Sequence, residues 1–205
     1  MTQIALATED VLSEAVGLQL LREINLSSHH IQCLRKDGSG YLQSKMSNWK
    51  ALAKIKPVLL ITDLDQVACP SKMREAWLGT TPTPSDLLLR IAVREVESWV
   101  LADHDAMRQL MGPKGKLPTH PDELPDPKSH LLQLAKQASR EVRQDLVKEK
   151  GALASQGIGY NTRLGSMVAS CWSPERAASR SPSLARTRLR LRELAARRFW
   201  IEVPL

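Results

Sequence analysis

Short apolar runs alternate with stretches of helical periodicity along the first 110 residues. Strands are predicted at residues 3–8, 29–36, 57–63 and 86–95. Helices are predicted at 10–24, with Asp10 as N-cap, at 45–55, at 71–78 and in VESWVLADHDAMRQL after the fourth strand. Strands that alternate with helices need crossover connections, so this order predicts an α/β fold with a mainly parallel sheet covered on both faces.

The rest of the chain predicts helices after a proline-rich connector. The connector is GPKGKLPTHPDELPDPK at 112–128, and helical segments follow near 129–150 and 183–198. The segment KDGSGYLQSK at 36–45 lacks the phosphate-loop pattern, which favours a flexible loop. We expect a single domain over 1–205, with an α/β core at about 1–111 and a helical, basic C-terminal part at about 129–205.

Composition indicates a soluble protein. Apolar residues make up 42% of the chain and charged residues 25%. The first residues do not look like a secretory leader and no apolar run approaches a membrane span, so we expect a cytoplasmic protein with no membrane partner. Three scattered cysteines predict neither a disulfide framework nor a zinc ribbon.

Positive charge is concentrated in the last quarter of the chain. Residues 1–150 hold 20 basic and 19 acidic side chains, whereas residues 151–205 hold 9 and 3. Such a basic segment favours a polyanionic partner such as nucleic acid, and an arginine-rich helix face in solvent is the alternative. The candidate phosphate contacts are Arg163, Arg176, Arg186 and Arg190.

The candidate chemistry begins at Asp63 and Asp65, which end the apolar run PVLLITDLDQ. If the extended conformation persists through Leu64, the two side chains point to the same face and can share a cation. They also fall at the carboxyl end of a predicted parallel strand, where open α/β sheets bind ligands. A solvated turn is the alternative for these aspartates.

Further acids follow two other predicted strands. Glu9 ends the first strand, and Glu95 and Glu97 follow the fourth. Helical geometry lets only one of Glu95 and Glu97 face the aspartates, and we favour Glu97. Glu14 is a further candidate ligand if the loop after Glu9 is tight. A charge that favours the start of a helix is the alternative for Glu14 and Glu95.

A first-strand glutamate followed by a strand ending in D-x-D resembles the pattern of Toprim domains, found in topoisomerases, primases and the overcoming-lysogenization-defect nucleases. The segments TEDVLSEAV, LLITDLDQ, VREVESWVLAD, LPDPK, GYNTRL and SPERAASRSPSLAR together resemble a bacterial family of small Toprim-like proteins often encoded beside AAA-type ATPases. Glu9 matches the Toprim glutamate, and Asp63 and Asp65 match the metal-binding D-x-D. Asp10 stands where Toprim domains commonly have glycine, and Glu14 lies five residues after Glu9 rather than four.

This resemblance implies a Toprim-like, Rossmann-like sheet and a nuclease that uses Mg²⁺ or Mn²⁺. Glu9, Asp63, Asp65 and Glu97 would be its catalytic and metal-binding residues. A role in phage or plasmid defence with an AAA-type ATPase partner is also implied. The alternative is a non-catalytic module that keeps the fold and binds nucleic acid or an ATPase, and the sequence leaves a homo-oligomer open.

Overall fold

A computed structural model describes residues 3–34, 38–149, 151 and 153–199 of the chain. Its sheet is built from β1 (Ile4–Thr8), β2 (Ile31–Cys33), β3 (Val58–Asp63) and β4 (Leu87–Ala92). The strand order is β2-β1-β3-β4 and every pair is parallel. The predicted α/β fold with a parallel sheet is therefore confirmed.

Eleven α-helices surround this sheet within the described residues. They are α1 (Val11–Glu23), α2 (Ser39–Ser44), α3 (Met46–Ala53), α4 (Pro70–Leu78), α5 (Val96–Ala102), α6 (His104–Met111), α7 (Pro127–Ala135), α8 (Arg140–Leu146), α9 (Tyr160–Ser170), α10 (Pro174–Ala178) and α11 (Pro182–Arg198).

Two local predictions were wrong. The segment 36–45 was predicted as a flexible loop, but residues 39–44 form α2, whose Leu42 is buried against the sheet; residues 36 and 37 lie outside the described residues. Of the strand predicted at 29–36, the described residues form Ile31–Cys33; it begins later than predicted because Ser28–His30 forms a 3-10 turn, and residues 35 and 36 lie outside the described residues. The Ser27 hydroxyl and the His30 ring share a hydrogen bond of 2.8 Å in this turn.

The sheet separates two apolar layers. On one face, α2, α3 and α4 cover side chains such as Ala7, Val58 and Leu60. On the other face, α1 and the helices from α5 to α11 cover Leu6, Leu59 and their neighbours in one continuous core. The C-terminal helices therefore complete the cover of the sheet rather than forming a separate appendage.

Helix α1 lies very close to the strands because it carries glycine at the point of contact. A Cβ atom on Gly17 would lie 2.7 Å from Leu6 Cδ1 and 3.1 Å from Ile61 Cδ1. The helix begins at its predicted N-cap, where Asp10 accepts a 2.8 Å hydrogen bond from the Ser13 amide. This packing fixes the end of β1, where Glu9 lies.

No helix in the described part of the chain is long and apolar enough to cross a membrane.

Candidate functional site

The carboxyl ends of three adjacent strands bring the predicted acids to one edge of the sheet. β3 lies between β1 and β4, and Asp63 is in register with Ala92 of β4. Glu9 follows β1, Asp63 ends β3, and Glu97 lies in the first turn of the helix after β4. We call Glu9, Asp63, Asp65 and Glu97 at this edge the acidic edge.

Glu9 is held against the end of β3 by two hydrogen bonds to the same oxygen. Its Oε1 accepts from the Asp63 amide at 2.9 Å and from the Thr62 hydroxyl. Burial raises the pKa of Glu9, the two hydrogen bonds oppose this rise, and the charges of Asp65 and Asp10 add to it. The Glu9 carboxylate is therefore fixed in place but costly to ionise.

Asp63 is the most strongly perturbed acid of the edge. Its Oδ1 accepts a 2.8 Å hydrogen bond from the amide of Val96, the first residue of α5. Burial raises the pKa of Asp63 well above its ordinary value, and the charges of Glu97 and Glu9 raise it further. Asp63 thus shares a poorly solvated space with other carboxylates.

Glu97 is almost completely buried, at 3% exposure. Its Oε1 accepts a 2.7 Å hydrogen bond from the hydroxyl of Tyr160, at the start of α9. Burial raises the pKa of Glu97 to about 7, although Tyr160 and Lys128 pull it down. Of Glu95 and Glu97, the two candidates from the sequence, Glu97 is the one whose charge raises the pKa of Asp63 most.

Tyr160 was missed by sequence reasoning, which singled out its neighbours in GYNTRLG. The side chain is buried, and burial together with the Glu97 charge raises its pKa, so the hydroxyl stays protonated and donates to Glu97. Lys128 lies 5.2 Å from the centre of the Tyr160 ring. No sequence signal marked Tyr160, because neither the helix that begins there nor its packing beside α5 was predicted.

Asp65 departs from the predicted geometry. Its φ of +49° lies in the left-handed region, and its amide donates to the Arg94 carbonyl at 3.0 Å. Strand β3 ends at Asp63, so the regular strand on which the alignment of the two aspartates depended does not continue through Leu64. Asp65 is exposed, but its charge still raises the pKa of both Glu9 and Asp63.

The remaining acids lie beside the edge. Glu95 is the N-cap of α5, and its Oε2 accepts a 2.9 Å hydrogen bond from the Lys128 amide at the start of α7. Burial raises the pKa of Glu95. Glu14 is half-buried in the first turn of α1, one turn after the Asp10 cap. Glu95 thus lies at the start of α5 and bonds to the start of α7, in agreement with the alternative that its charge favours the start of a helix.

Three of the four predicted phosphate contacts form ion pairs with protein carboxylates: Arg163, Arg176 and Arg190, the last with Glu193. Arg163 forms ion pairs with Asp145 and with Glu141, the latter at 2.7 Å. Arg176 forms a bidentate ion pair with the fully buried Asp103, with hydrogen bonds of 2.7 and 2.9 Å. Arg163 and Arg176 therefore stabilise contacts between helices. Arg186 and Arg190 lie on the exposed side of α11.

The donor chemistry of the acidic edge suits Mg²⁺, which prefers carboxylate oxygens and often takes only one or two of them. The hydrogen bonds between described residues use Oε1 of Glu9, Oδ1 of Asp63 and Oε1 of Glu97, and leave the second oxygen of each carboxylate without such a bond. Within the same residues, however, no three His, Cys, Asp or Glu side chains are arranged so that they could hold a metal ion. The acidic edge therefore has oxygen atoms suited to Mg²⁺, but among the described residues its carboxylates are not arranged as a complete metal site.

Comparisons of the chain with protein-family models, with curated proteins and with solved structures found no match.

Proposed function

We propose that this protein is a Mg²⁺-dependent, Toprim-like nuclease that hydrolyses phosphodiester bonds in DNA or RNA at the acidic edge. The observation that carries this proposal is the crowding of Glu9, Asp63 and Glu97 at the carboxyl ends of parallel strands, where the pKa of each is raised. Perturbed acids gathered in this way are typical of functional sites.

A divalent cation would relieve the repulsion among these carboxylates. Glu9 and Asp63 would hold Mg²⁺ through the oxygens that their hydrogen bonds leave available, with Asp65 and Glu97 as further ligands. The bound ion would activate water and neutralise charge on the phosphoryl group. Mn²⁺, which also suits oxygen ligands, is the alternative ion.

The chain itself would contribute positioning and proton transfer. The Asp63 and Val96 amides hold the Glu9 and Asp63 carboxylates in position at the end of β3. If Glu9, Asp63 and Asp65 hold the ion without Glu97, then Glu97, with a pKa raised to about 7, would exchange a proton near neutral pH while Tyr160 holds it. A group with this pKa suits general acid or base catalysis.

The resemblance noted in the sequence supports a role in phage or plasmid defence with an AAA-type ATPase as partner. The sequence contains no Walker motif, so ATP hydrolysis would come from that partner. Nucleic acid remains the proposed substrate.

A non-catalytic module that binds nucleic acid or an ATPase is the second candidate. The observation that favours it is that protein groups already hydrogen-bond Glu9, Asp63 and Glu97, while the described residues contain no closed metal-ligand group. In that case the hydrogen bonds of these acids would stabilise the packing of β3, α5 and α9 against one another.

Cleavage of plasmid and single-stranded DNA and RNA, with Mg²⁺ or Mn²⁺ and with EDTA, separates the two candidates. We expect metal-dependent cleavage by the wild type and a loss of at least about 100-fold in Asp63→Asn and Glu9→Gln, because each variant removes a charged metal ligand. Glu75→Gln, at an exposed position of α4, is the matched control and should cleave like the wild type.

Equal cleavage by the wild type and Asp63→Asn would contradict the proposed site. Binding of nucleic acid without cleavage by any form, with the ATPase partner also present, would favour the non-catalytic module.

A further inference from the structure

A cleft with a strongly basic lining runs between α4, the edge strand β4 and α11. Its volume is about 530 Å³. Leu89 and Ile91 of β4 form part of its wall, beside Pro70 at the start of α4. The side chains that give the cleft its charge are Arg74, Arg90, Arg186 and Arg190. We call this site the arginine cleft.

The positive charges of the arginine cleft are only partly neutralised by the protein. Glu193 pairs with Arg190 at 2.7 Å, on the exposed side of α11. Burial, together with the charges of Arg74, Arg190 and Arg186, lowers the pKa of Arg90 to about 10. Arg90 still carries its charge at neutral pH, so the arginines repel one another across the cleft.

The arginines also keep donors available for a ligand. Arg74 Nη1 donates to the Leu89 carbonyl at 3.0 Å, and Arg90 Nε donates to the Thr187 hydroxyl at 3.3 Å. Among the described residues, the Arg186 guanidinium makes no hydrogen bond or ion pair. Arginine presents five N–H groups in a planar fork that matches the oxygens of a phosphate.

The cleft begins close to the acidic edge. Ile91 in its wall is in register with Thr62, and the next pair along the strands is Asp63 and Ala92. From strand spacing and rise, the Cα atoms of Ile91 and Asp63 lie about 6 Å apart. An extended ligand can therefore occupy the cleft while it continues to the acids.

We propose that the arginine cleft binds the phosphate groups of a single nucleic-acid strand and leads that strand to the acidic edge. The volume suits a ligand of about nucleotide size rather than a duplex. The identity of the ligand as a nucleic-acid strand rests on the proposed function. A free nucleotide and inorganic phosphate share the same recognition chemistry.

Binding can be tested without metal, by fluorescence anisotropy of a labelled single-stranded oligonucleotide in EDTA. The full chain is compared with Arg186→Ala, Arg190→Ala and Arg90→Lys. Arg140→Ala, an exposed arginine on α8 away from the cleft, controls for the loss of one charge. Arg186 and Arg190 are exposed, so their variants should fold, and circular dichroism checks this.

We expect each alanine variant to weaken binding about tenfold, because a charged hydrogen bond to phosphate is lost. The slope of log affinity against log salt should become shallower by about 0.7 for each contact with a single strand. Arg90→Lys should also weaken binding, because lysine lacks the planar fork. Arg140→Ala should not weaken binding in EDTA.

Wild-type affinity in folded Arg186→Ala and Arg190→Ala would overturn the cleft as the site. Competition by a nucleotide or inorganic phosphate with higher affinity than the strand would overturn the strand as the ligand. Arginine-dependent binding without any metal-dependent cleavage would remove the proposed nuclease function and leave phosphate binding by the cleft intact, so the two failures are distinguishable.

Discussion

At the scale of single residues, the acidic edge places negative charges where they oppose folding. Asp63 is half-buried and Glu97 is buried, and burial is the largest cause of the raised pKa of each. A packed interior would be more stable with neutral groups of the same shape. This cost is typical of a site kept for function.

Glu97→Gln should reveal this cost as a pH dependence of stability. The pKa of Glu97 is about 7 in the folded protein against 4.5 for the ordinary group, so the folded protein retains this proton at higher pH than the unfolded chain. The contribution of protonated Glu97 to the free energy of unfolding is therefore fully present below about pH 4.5 and is lost as the pH rises through about 7. Glutamine avoids this loss, so the variant should exceed the wild type at pH 7.5 by up to about 3 kcal/mol of unfolding free energy.

Denaturant unfolding at pH 4.5 and pH 7.5 measures this difference. At pH 4.5 the two proteins should be similar, and Glu75→Gln should follow the wild type at both pH values. An identical difference between Glu97→Gln and the wild type at both pH values would show that Glu97 does not titrate as described.

Asp63→Asn should stabilise the metal-free protein. The asparagine oxygen can still accept the Val96 amide, while the charge that Glu97 and Glu9 oppose is removed. At pH 8 in EDTA we expect a higher free energy of unfolding than that of the wild type. Thermal and denaturant unfolding measure it, and a clear loss of stability would mean that another cation or donor compensates Asp63.

The residue scale also shows what the sequence could predict of the site. Glu9, Asp63 and Glu97 were found because each follows a predicted parallel strand, and the ends of neighbouring strands meet at one edge. The left-handed conformation of Asp65 was not predictable, because tertiary hydrogen bonds from the loop amides to the Arg94 carbonyl determine it. The contact of Tyr160 with Glu97 joins residues 63 positions apart and depends on the packing of α9.

At the scale of elements, Asp103 connects α6 with α10. It accepts hydrogen bonds from the Ser173 amide and from Arg176, and it also accepts from the Ala106 amide at the start of α6. Arg176→Ala should therefore act on stability rather than on binding. We expect a loss of roughly 2 kcal/mol, because a buried carboxylate loses its partner and the exposure of Arg176 screens part of the effect.

Thermal unfolding and anisotropy on the same Arg176→Ala preparation test this assignment. A lower melting temperature with unchanged oligonucleotide affinity is the expected result. Weaker nucleic-acid binding with unchanged stability would instead restore Arg176 as a phosphate contact.

Elements were predictable where local signals were strong. The β3 run is apolar throughout and buried, and α1 has both an amphipathic pattern and a capping aspartate, so both were found near their observed bounds. Helix α2 was missed because SGYLQS contains glycine and serine, which normally favour loops, and it gains its stability by burying Leu42. Helix α9 was not predicted, and it gains its stability by burying Tyr160 and Leu164 against other elements.

At the scale of the whole molecule, the helices after residue 150 are part of the main core. Leu164, Trp172 and Leu191 lie in the same apolar cluster as Leu6 and Leu59 of the sheet. Removal of everything after residue 149 would expose this face to water. We expect the shortened chain to lose cooperative thermal unfolding by circular dichroism, whereas the full chain unfolds in one transition; a cooperative transition in the shortened chain would contradict this.

Calorimetric titration of the wild-type protein with Mn²⁺ at pH 7 measures whether the acidic edge binds a divalent cation. Because the cation requires ionised carboxylates, binding should release protons, which two buffers of different ionisation enthalpy will reveal. Asp63→Asn should lose this binding, while Glu75→Gln retains it. An absence of Mn²⁺ binding, or equal binding by Asp63→Asn and the wild type, would contradict the account.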